Sequence, residues 1–110
     1  LKRAGSGGRI VNIGAAGAIK AASGMGAYAA SKAGVAKLTE ALADEVKEDA
    51  ITVNAVLPSI IDTAANRADM PTADFDRWVK AEQIAELIVF LLSDRASAIT
   101  GALIPITGRV

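Results

Sequence analysis

Tyr28 and Lys32 are one helical turn apart in the segment Tyr28-Ala29-Ala30-Ser31-Lys32. Residues at this spacing lie side by side on one face of an α-helix. A free tyrosine side chain, with a pKa of about 10, is a poor acid at neutral pH, and a nearby ammonium favours its phenolate form. The pair could therefore exchange a proton with a substrate atom, or it could be an ordinary pair on a helix surface.

The composition removes several other kinds of chemistry from the 110 residues. The chain has no histidine and no cysteine, so it holds no Ser-His-Asp triad, no thiol nucleophile and none of the usual zinc sites. Basic and acidic residues number 12 each, which gives no sign of nucleic-acid binding. The longest apolar run, residues 87–92, is too short to span a bilayer. We therefore expect a cytoplasmic protein that acts on a small molecule, with no metal, nucleic-acid or membrane partner.

The elements that must position Tyr28 and Lys32 alternate along the chain. Runs of β-branched residues predict strands at 9–13, 51–57 and 102–106. Helical spacing of apolar residues predicts helices at 27–47 and 81–92, with a short helical turn near 74–78 and a loop at 14–26. We expect Pro58 to end the second strand, and Pro105 to place the third strand at an edge or a strand end.

Alternating strands and helices are typical of a parallel sheet with right-handed crossovers, which defines the α/β class. Ligands bind such sheets beyond the carboxyl ends of the strands. This edge would bring together the loop after Ile13, the helix start that carries Tyr28, and the loop after Leu57. Three strands and two main helices amount to half of a Rossmann-like doubly wound parallel sheet.

Several segments, taken in order along the chain, resemble the motifs of a known family. They are residues 8–13, 28–34, 51–58, 60–63, 92–94 and 99–101. Their order and spacing are similar to those of the C-terminal half of short-chain dehydrogenases/reductases. The resemblance covers nearly the whole chain. It implies that residues 1–110 are a single partial domain that lacks the N-terminal nucleotide-binding half.

The resemblance also implies roles for individual residues. Tyr28 would donate a proton to the substrate, and Lys32 would assist Tyr28 and hydrogen-bond the nicotinamide ribose of NAD or NADP. The remaining cofactor contacts would come from Pro58 and the loop that follows it, through the backbone of Ile61 and through Thr63. The family is commonly assembled as a homodimer or homotetramer. A non-catalytic homologue or fragment with a structural role in assembly is the alternative.

One departure from the family pattern concerns the substrate. Family members usually carry a serine thirteen residues before the tyrosine, and this chain has Ala15 there. Losing a hydrogen-bond donor to a developing oxyanion costs on the order of a hundredfold in rate. The segments 62–67, 70–71 and 73–78 resemble the dihydropteridine reductase branch, which works without that serine. The sequence therefore favours a quinonoid dihydropterin or a similarly activated acceptor over a plain ketone.

Overall fold

The computed structural model describes residues 7–16, 24 and 26–110. These residues form a three-stranded parallel sheet with flanking helices, as the alternating pattern predicts. The elements are β1 (Gly8–Ile13), α1 (Gly26–Val46), β2 (Ile51–Pro58), α2 (Ala64–Asp69), α3 (Ala81–Leu92) and β3 (Leu103–Ile106). Short 3-10 turns lie at Lys47–Asp49, Phe75–Arg77 and Asp94–Ala96.

The central strand β2 forms the core of the sheet. It lies between β1 and β3, pairs in parallel with both, and buries all eight of its residues. Val53 packs with Ala43 of α1, whereas Val56 packs with Ile84 and Leu91 of α3. Since side chains three positions apart in a strand point to opposite faces, α1 and α3 cover opposite faces of the sheet. The doubly wound arrangement predicted from the sequence is therefore confirmed.

The prolines differ in how well they were predicted. Pro105 lies in β3, which pairs with β2 alone among the described strands, so its edge placement is confirmed. The second strand was predicted to end at residue 57, just before Pro58, and this bound was wrong by one residue. Pro58 is the last residue of β2 and pairs with Ile106. A proline is tolerated there because the final residue of a strand need not donate a further ladder hydrogen bond.

The predicted element bounds hold to within a residue or two. The helix predicted at 81–92 is α3, and the helix predicted at 27–47 is α1, which begins at Gly26 and ends at Val46. The helical turn expected near 74–78 is the 3-10 turn Phe75–Arg77. Helix α2 was not predicted at all. Most of the loop predicted at 14–26 lies outside the described residues.

A buried amide holds the approach to β3 against β2. Asn54 is fully buried, its Nδ2 donates to the carbonyl oxygen of Ile99 at 3.0 Å, and its Oδ1 accepts from the N–H of Ala102 at 3.0 Å. Both polar ends of the amide are thereby satisfied, as burial requires. No helix of the described residues is long and apolar enough to cross a membrane.

Candidate active site

Tyr28 lies in the first turn of α1, two residues after the helix begins. Because the chain enters α1 after leaving the carboxyl end of β1, this turn lies at the carboxyl edge of the sheet. The Nζ atom of Lys32 lies 5.9 Å from the centroid of the Tyr28 ring. Tyr28 is 49% exposed, so a ligand can reach it. The predicted pairing of the two side chains is thus present in the structure.

Two features fix the position of the helix that carries the pair. Ala29, Ala36 and Ala43 are seven residues apart and form a buried stripe, whose small side chains let α1 lie close to the sheet. The buried hydroxyl of Thr39 accepts a hydrogen bond from Asn12 Nδ2 of β1 at 3.0 Å and donates to the Val35 carbonyl at 2.8 Å. These contacts fix the position of α1 along β1, and they therefore keep Tyr28 at the carboxyl edge of the sheet.

The chain leaves β1 through Gly14 and Ala15. The N–H of Gly14 donates to the Val56 carbonyl at 2.9 Å, which keeps this exit close to β2. A Cβ atom at position 14 would lie 2.6 Å from Cδ2 of Leu57, a fully buried side chain, so the close approach requires glycine. Ala15 is 8% exposed and has no hydrogen-bonding group in its side chain. The carboxyl end of β1 therefore presents a methyl group at the position where the family usually has a hydroxyl.

The predicted cofactor loop starts at Pro58 and closes on itself at its base. Ile61 forms a parallel bridge with Val79. The N–H of Val79 donates to the Ile60 carbonyl at 3.1 Å, and the N–H of Asp62 donates to the Val79 carbonyl at 2.7 Å. The intervening residues therefore form a closed loop between β2 and α3.

Thr63 caps the amino end of α2. Its backbone is extended, with φ −127° and ψ 159°, and its Oγ1 accepts a hydrogen bond from the N–H of Asn66 at 3.1 Å. Thr63 is exposed, and its own hydroxyl hydrogen remains available as a donor. Capping thus leaves the predicted ligand-binding capacity of Thr63 intact.

A cluster of three charged residues holds the loop together. Arg67 donates to Asp62 through Nε at 2.6 Å and through Nη2 at 2.9 Å, and Lys80 Nζ lies 2.8 Å from Asp62 Oδ2. The Asp62 side chain is 9% exposed. Hydrogen bonds from Arg67 first, and then from Lys80, hold the pKa of Asp62 well below its ordinary value. The carboxylate in turn raises the pKa of Arg67 above its ordinary value.

An aromatic pair supports the same cluster. The Arg67 guanidinium lies over the Phe75 ring, 4.5 Å from its centroid, and the Phe75 and Trp78 ring centroids are 4.9 Å apart. Trp78 is 4% exposed. Arg67 and Trp78 belong to the segments on which the predicted dihydropteridine reductase-like branch rests, and in the structure both have packing roles. Lys80 was missed by sequence reasoning, because it is distant in sequence from Asp62 and no local spacing links the two residues.

Acid should weaken this cluster, and the direction follows from the depressed pKa of Asp62. In the unfolded chain an aspartate titrates near ~3.9, so as the pH falls the unfolded state takes up the proton first, and folding stability contributed by Asp62 is lost below about pH 5. Thermal melts between pH 7 and pH 3 should show a steeper loss of stability for the wild type than for Asp62→Asn. Asp69→Asn, which removes an exposed carboxylate of α2, should follow the wild type. Parallel curves for the wild type and Asp62→Asn would contradict the role of the cluster.

The predicted site residues form two sets at the carboxyl edge. Tyr28 and Lys32 lie on α1, whereas Pro58, Ile61 and Thr63 lie at the end of β2 and in the loop that follows it. Within the described residues, no hydrogen bond joins one set to the other. No group of three or more acidic residues in the described part of the chain is placed to hold a metal ion.

The parallel sheet and its helices place the chain in the class of Rossmann-like α/β domains, here with a tyrosine–lysine pair at the carboxyl edge. Comparison with known sequences then identifies the family. The sequence profile described as enoyl-(acyl carrier protein) reductase matches residues 1–108. The chain is 44% identical to the 3-oxoacyl-(acyl-carrier-protein) reductase FabG of Pseudomonas aeruginosa, over 92% of this chain and 44% of that protein. The chain belongs to the short-chain dehydrogenase/reductase family, and it spans less than half of the length of that relative.

Solved structures agree with this assignment. A short-chain type dehydrogenase/reductase from Mycobacterium ulcerans superposes with a TM-score of 0.88 at 32% identity, over 99% of this chain and 43% of that one. A carveol dehydrogenase from Mycobacterium avium in complex with NAD superposes with a TM-score of 0.83 at 30% identity, over 97% of this chain and 47% of that one. The fold described above is therefore the fold of the corresponding part of these proteins.

Proposed function

We propose that the protein carrying this chain is an NAD(P)-dependent oxidoreductase in which Tyr28 donates the proton and Lys32 supports it. The observation that carries the proposal is the placement of Lys32 Nζ 5.9 Å from the ring centroid of a half-exposed Tyr28, in the first turn of α1. A positioned acid of this kind contributes to the rate by protonating the group on which charge develops. Residues 1–110 would form the C-terminal part of a longer Rossmann-fold domain, since the relatives are about twice as long.

The residues after β2 fit a nicotinamide dinucleotide. The N–H of Ile61 has no acceptor among the described residues, and the hydroxyl hydrogen of Thr63 is free to donate. Both residues follow Pro58, the last residue of β2, at the carboxyl edge of the sheet, and folds of this kind bind nucleotides at that edge. NAD or NADP held there, with Lys32 at its ribose, would supply the hydride.

We propose that the substrate is an acceptor whose reduction needs little stabilisation of developing charge by the protein, such as a quinonoid dihydropterin. Such an acceptor gains two electrons and two protons in total. The hydride brings both electrons and one proton to the conjugated ring, and Tyr28 delivers the second proton to a ring nitrogen. No alkoxide develops, so the missing hydroxyl at Ala15 costs little. The sequence-based prediction of a dihydropteridine reductase-like branch, which rests on the segments 62–67, 70–71 and 73–78, favours the same substrate class.

A 3-oxoacyl thioester is the second candidate, because a FabG reductase is among the relatives. Reduction of its keto group develops charge on an oxygen, which preorganised donors normally stabilise. The buried methyl group of Ala15 provides no such donor. This observation favours the activated acceptor over the ketone.

We also propose a homodimer or homotetramer. Leu38 on α1 is 64% exposed and Val89 on α3 is 67% exposed, which leaves apolar surface on both helices that cover the sheet. Burial of such side chains is a common source of association energy. The alternative is a purely structural role in assembly, without catalysis, and the following assay distinguishes it from the oxidoreductase function.

The direct test is an assay of the full-length protein with NADH and NADPH. We expect oxidation of one dinucleotide with a quinonoid dihydropterin, and slower oxidation with 3-oxoacyl thioesters. Faster turnover of the thioester would overturn the substrate proposal alone. Failure to turn over either acceptor, together with no dinucleotide binding in calorimetry, would contradict the oxidoreductase proposal and favour the structural role.

A further inference from the structure

The loop after β2 contains one residue that contacts both predicted cofactor-binding residues. The side-chain Nδ2 of Asn66 donates to the carbonyl oxygen of Ile61 at 2.8 Å. The backbone N–H of Asn66 donates to Thr63 Oγ1 at 3.1 Å. Asn66 thus occupies an acceptor on each residue and leaves a donor of each residue unused.

The bridge at the base of the loop sets the direction of the Ile61 peptide groups. Ile60 and Asp62 both bond to Val79 through their backbone, so the N–H and C=O of Ile61 point away from Val79. The C=O is bonded to Asn66, and no described residue accepts from the N–H. The peptide group that contains this N–H is held by Val79, which donates to the Ile60 carbonyl. The Asn66 amide holds the next peptide group, and it thereby ties the first turn of α2, which Thr63 caps, to Ile61.

The second contact restrains the Thr63 hydroxyl. A hydroxyl has one hydrogen to donate and two lone pairs. Since one lone pair of Thr63 Oγ1 is directed at the Asn66 N–H, rotation of the hydroxyl hydrogen is limited to the remaining directions, away from α2. The exposed hydroxyl is then oriented before a ligand arrives.

We propose that Asn66 is a positioning residue whose side-chain bond to the Ile61 carbonyl fixes where Thr63 lies relative to Ile61. Two donors, the Ile61 N–H and the Thr63 O–H, are thereby held at a set separation and face the nicotinamide end of the dinucleotide. This inference rests on the proposed function, because it assumes that the loop binds the cofactor. Asn66 acts through Ile61 and Thr63 and does not itself contact the cofactor. Orienting donors in advance saves part of the ordering cost of binding.

The test compares two ligands that differ only in the nicotinamide. In the full-length protein, Asn66→Ala should raise the Kd of NADH, or of NADPH if the wild type prefers it, by about tenfold, the effect of roughly one hydrogen bond. ADP-ribose, or its 2′-phosphate in the second case, lacks the nicotinamide, and its Kd should change less than twofold. The KM for the dinucleotide should rise likewise, with little change in kcat at saturation.

Two further variants separate positioning from stability. Asn66→Gln retains an amide donor and should recover part of the lost affinity. Arg77→Met changes another residue of the loop and removes the hydrogen bond of 2.7 Å that Arg77 Nη2 donates to the Arg109 carbonyl, beyond β3. It should lower the melting temperature without changing the ratio of the two Kd values.

The outcomes distinguish failure of the positioning role of Asn66 from failure of the proposed oxidoreductase function. An equal loss of affinity for both ligands in Asn66→Ala, or no loss for either, would overturn the positioning role. A wild-type protein that binds neither ligand would instead overturn the proposed function.

Discussion

Tyr28→Phe should lower the rate of acceptor-dependent dinucleotide oxidation by roughly 10²- to 10⁴-fold, the usual contribution of a positioned general acid. The change removes one hydroxyl from a half-exposed ring and leaves the ring beside Lys32. Folding and dinucleotide binding should therefore stay close to the wild type. The measurements are kcat with the quinonoid acceptor, the dinucleotide Kd from calorimetry, and the melting temperature.

The neighbouring Ser31 offers a matched control for this variant. Ser31 is exposed on the same helical turn, so Ser31→Ala removes a hydroxyl of similar accessibility and should leave kcat within about twofold. Wild-type turnover in Tyr28→Phe would show that the proton comes from elsewhere. A parallel loss of kcat in both variants would indicate a general disturbance of α1 rather than loss of the acid.

Ala15→Ser should raise the kcat/KM toward unactivated ketones by on the order of a hundredfold. The new hydroxyl would lie two residues after the end of β1, at the position where the family usually carries a serine, and could donate to the developing oxyanion. Turnover of the quinonoid acceptor should change little, because its reduction forms no alkoxide. The measurement is kcat/KM for a 3-oxoacyl thioester and for the quinonoid acceptor in the same preparation.

Ala16→Ser is the control for this gain of function. It adds the same hydroxyl one residue further along the chain, at a partly exposed position, and should not raise ketone turnover. If Ala15→Ser is folded but gains no ketone activity, residue 15 does not face the acceptor. The argument for an activated substrate from Ala15 would then fail, whereas the role of Tyr28 would stand.

The sheet and the main helices could be predicted because local patterns determine them. The run of β-branched and apolar residues in β2 is typical of a buried strand, and the apolar spacing in α3 is typical of a helix over those residues. The relation of Tyr28 to Lys32 follows from helix geometry alone, so it too could be predicted.

Helix α2 could not be predicted in the same way. At six residues it is too short for a periodic pattern, and isolated helices of that length are unstable in water. Its stability depends on Asp62, which pairs with Arg67 and with the distant Lys80. The local signal was Thr63, a residue type that commonly caps helices. The contact of Asn66 with the Ile61 carbonyl likewise depends on a loop geometry that no sequence spacing specifies.

The bridge between Ile61 and Val79 has a consequence for how this part of the protein can diverge. It joins the two ends of the loop independently of what lies between them, so β2 and α3 do not depend on the loop's length. Insertions near the exposed turn at Met70 and Pro71 would add only the slowly growing entropy of a longer closed loop. Related chains could thus carry loops of different length here while keeping β2, α3 and the carboxyl edge of the sheet unchanged.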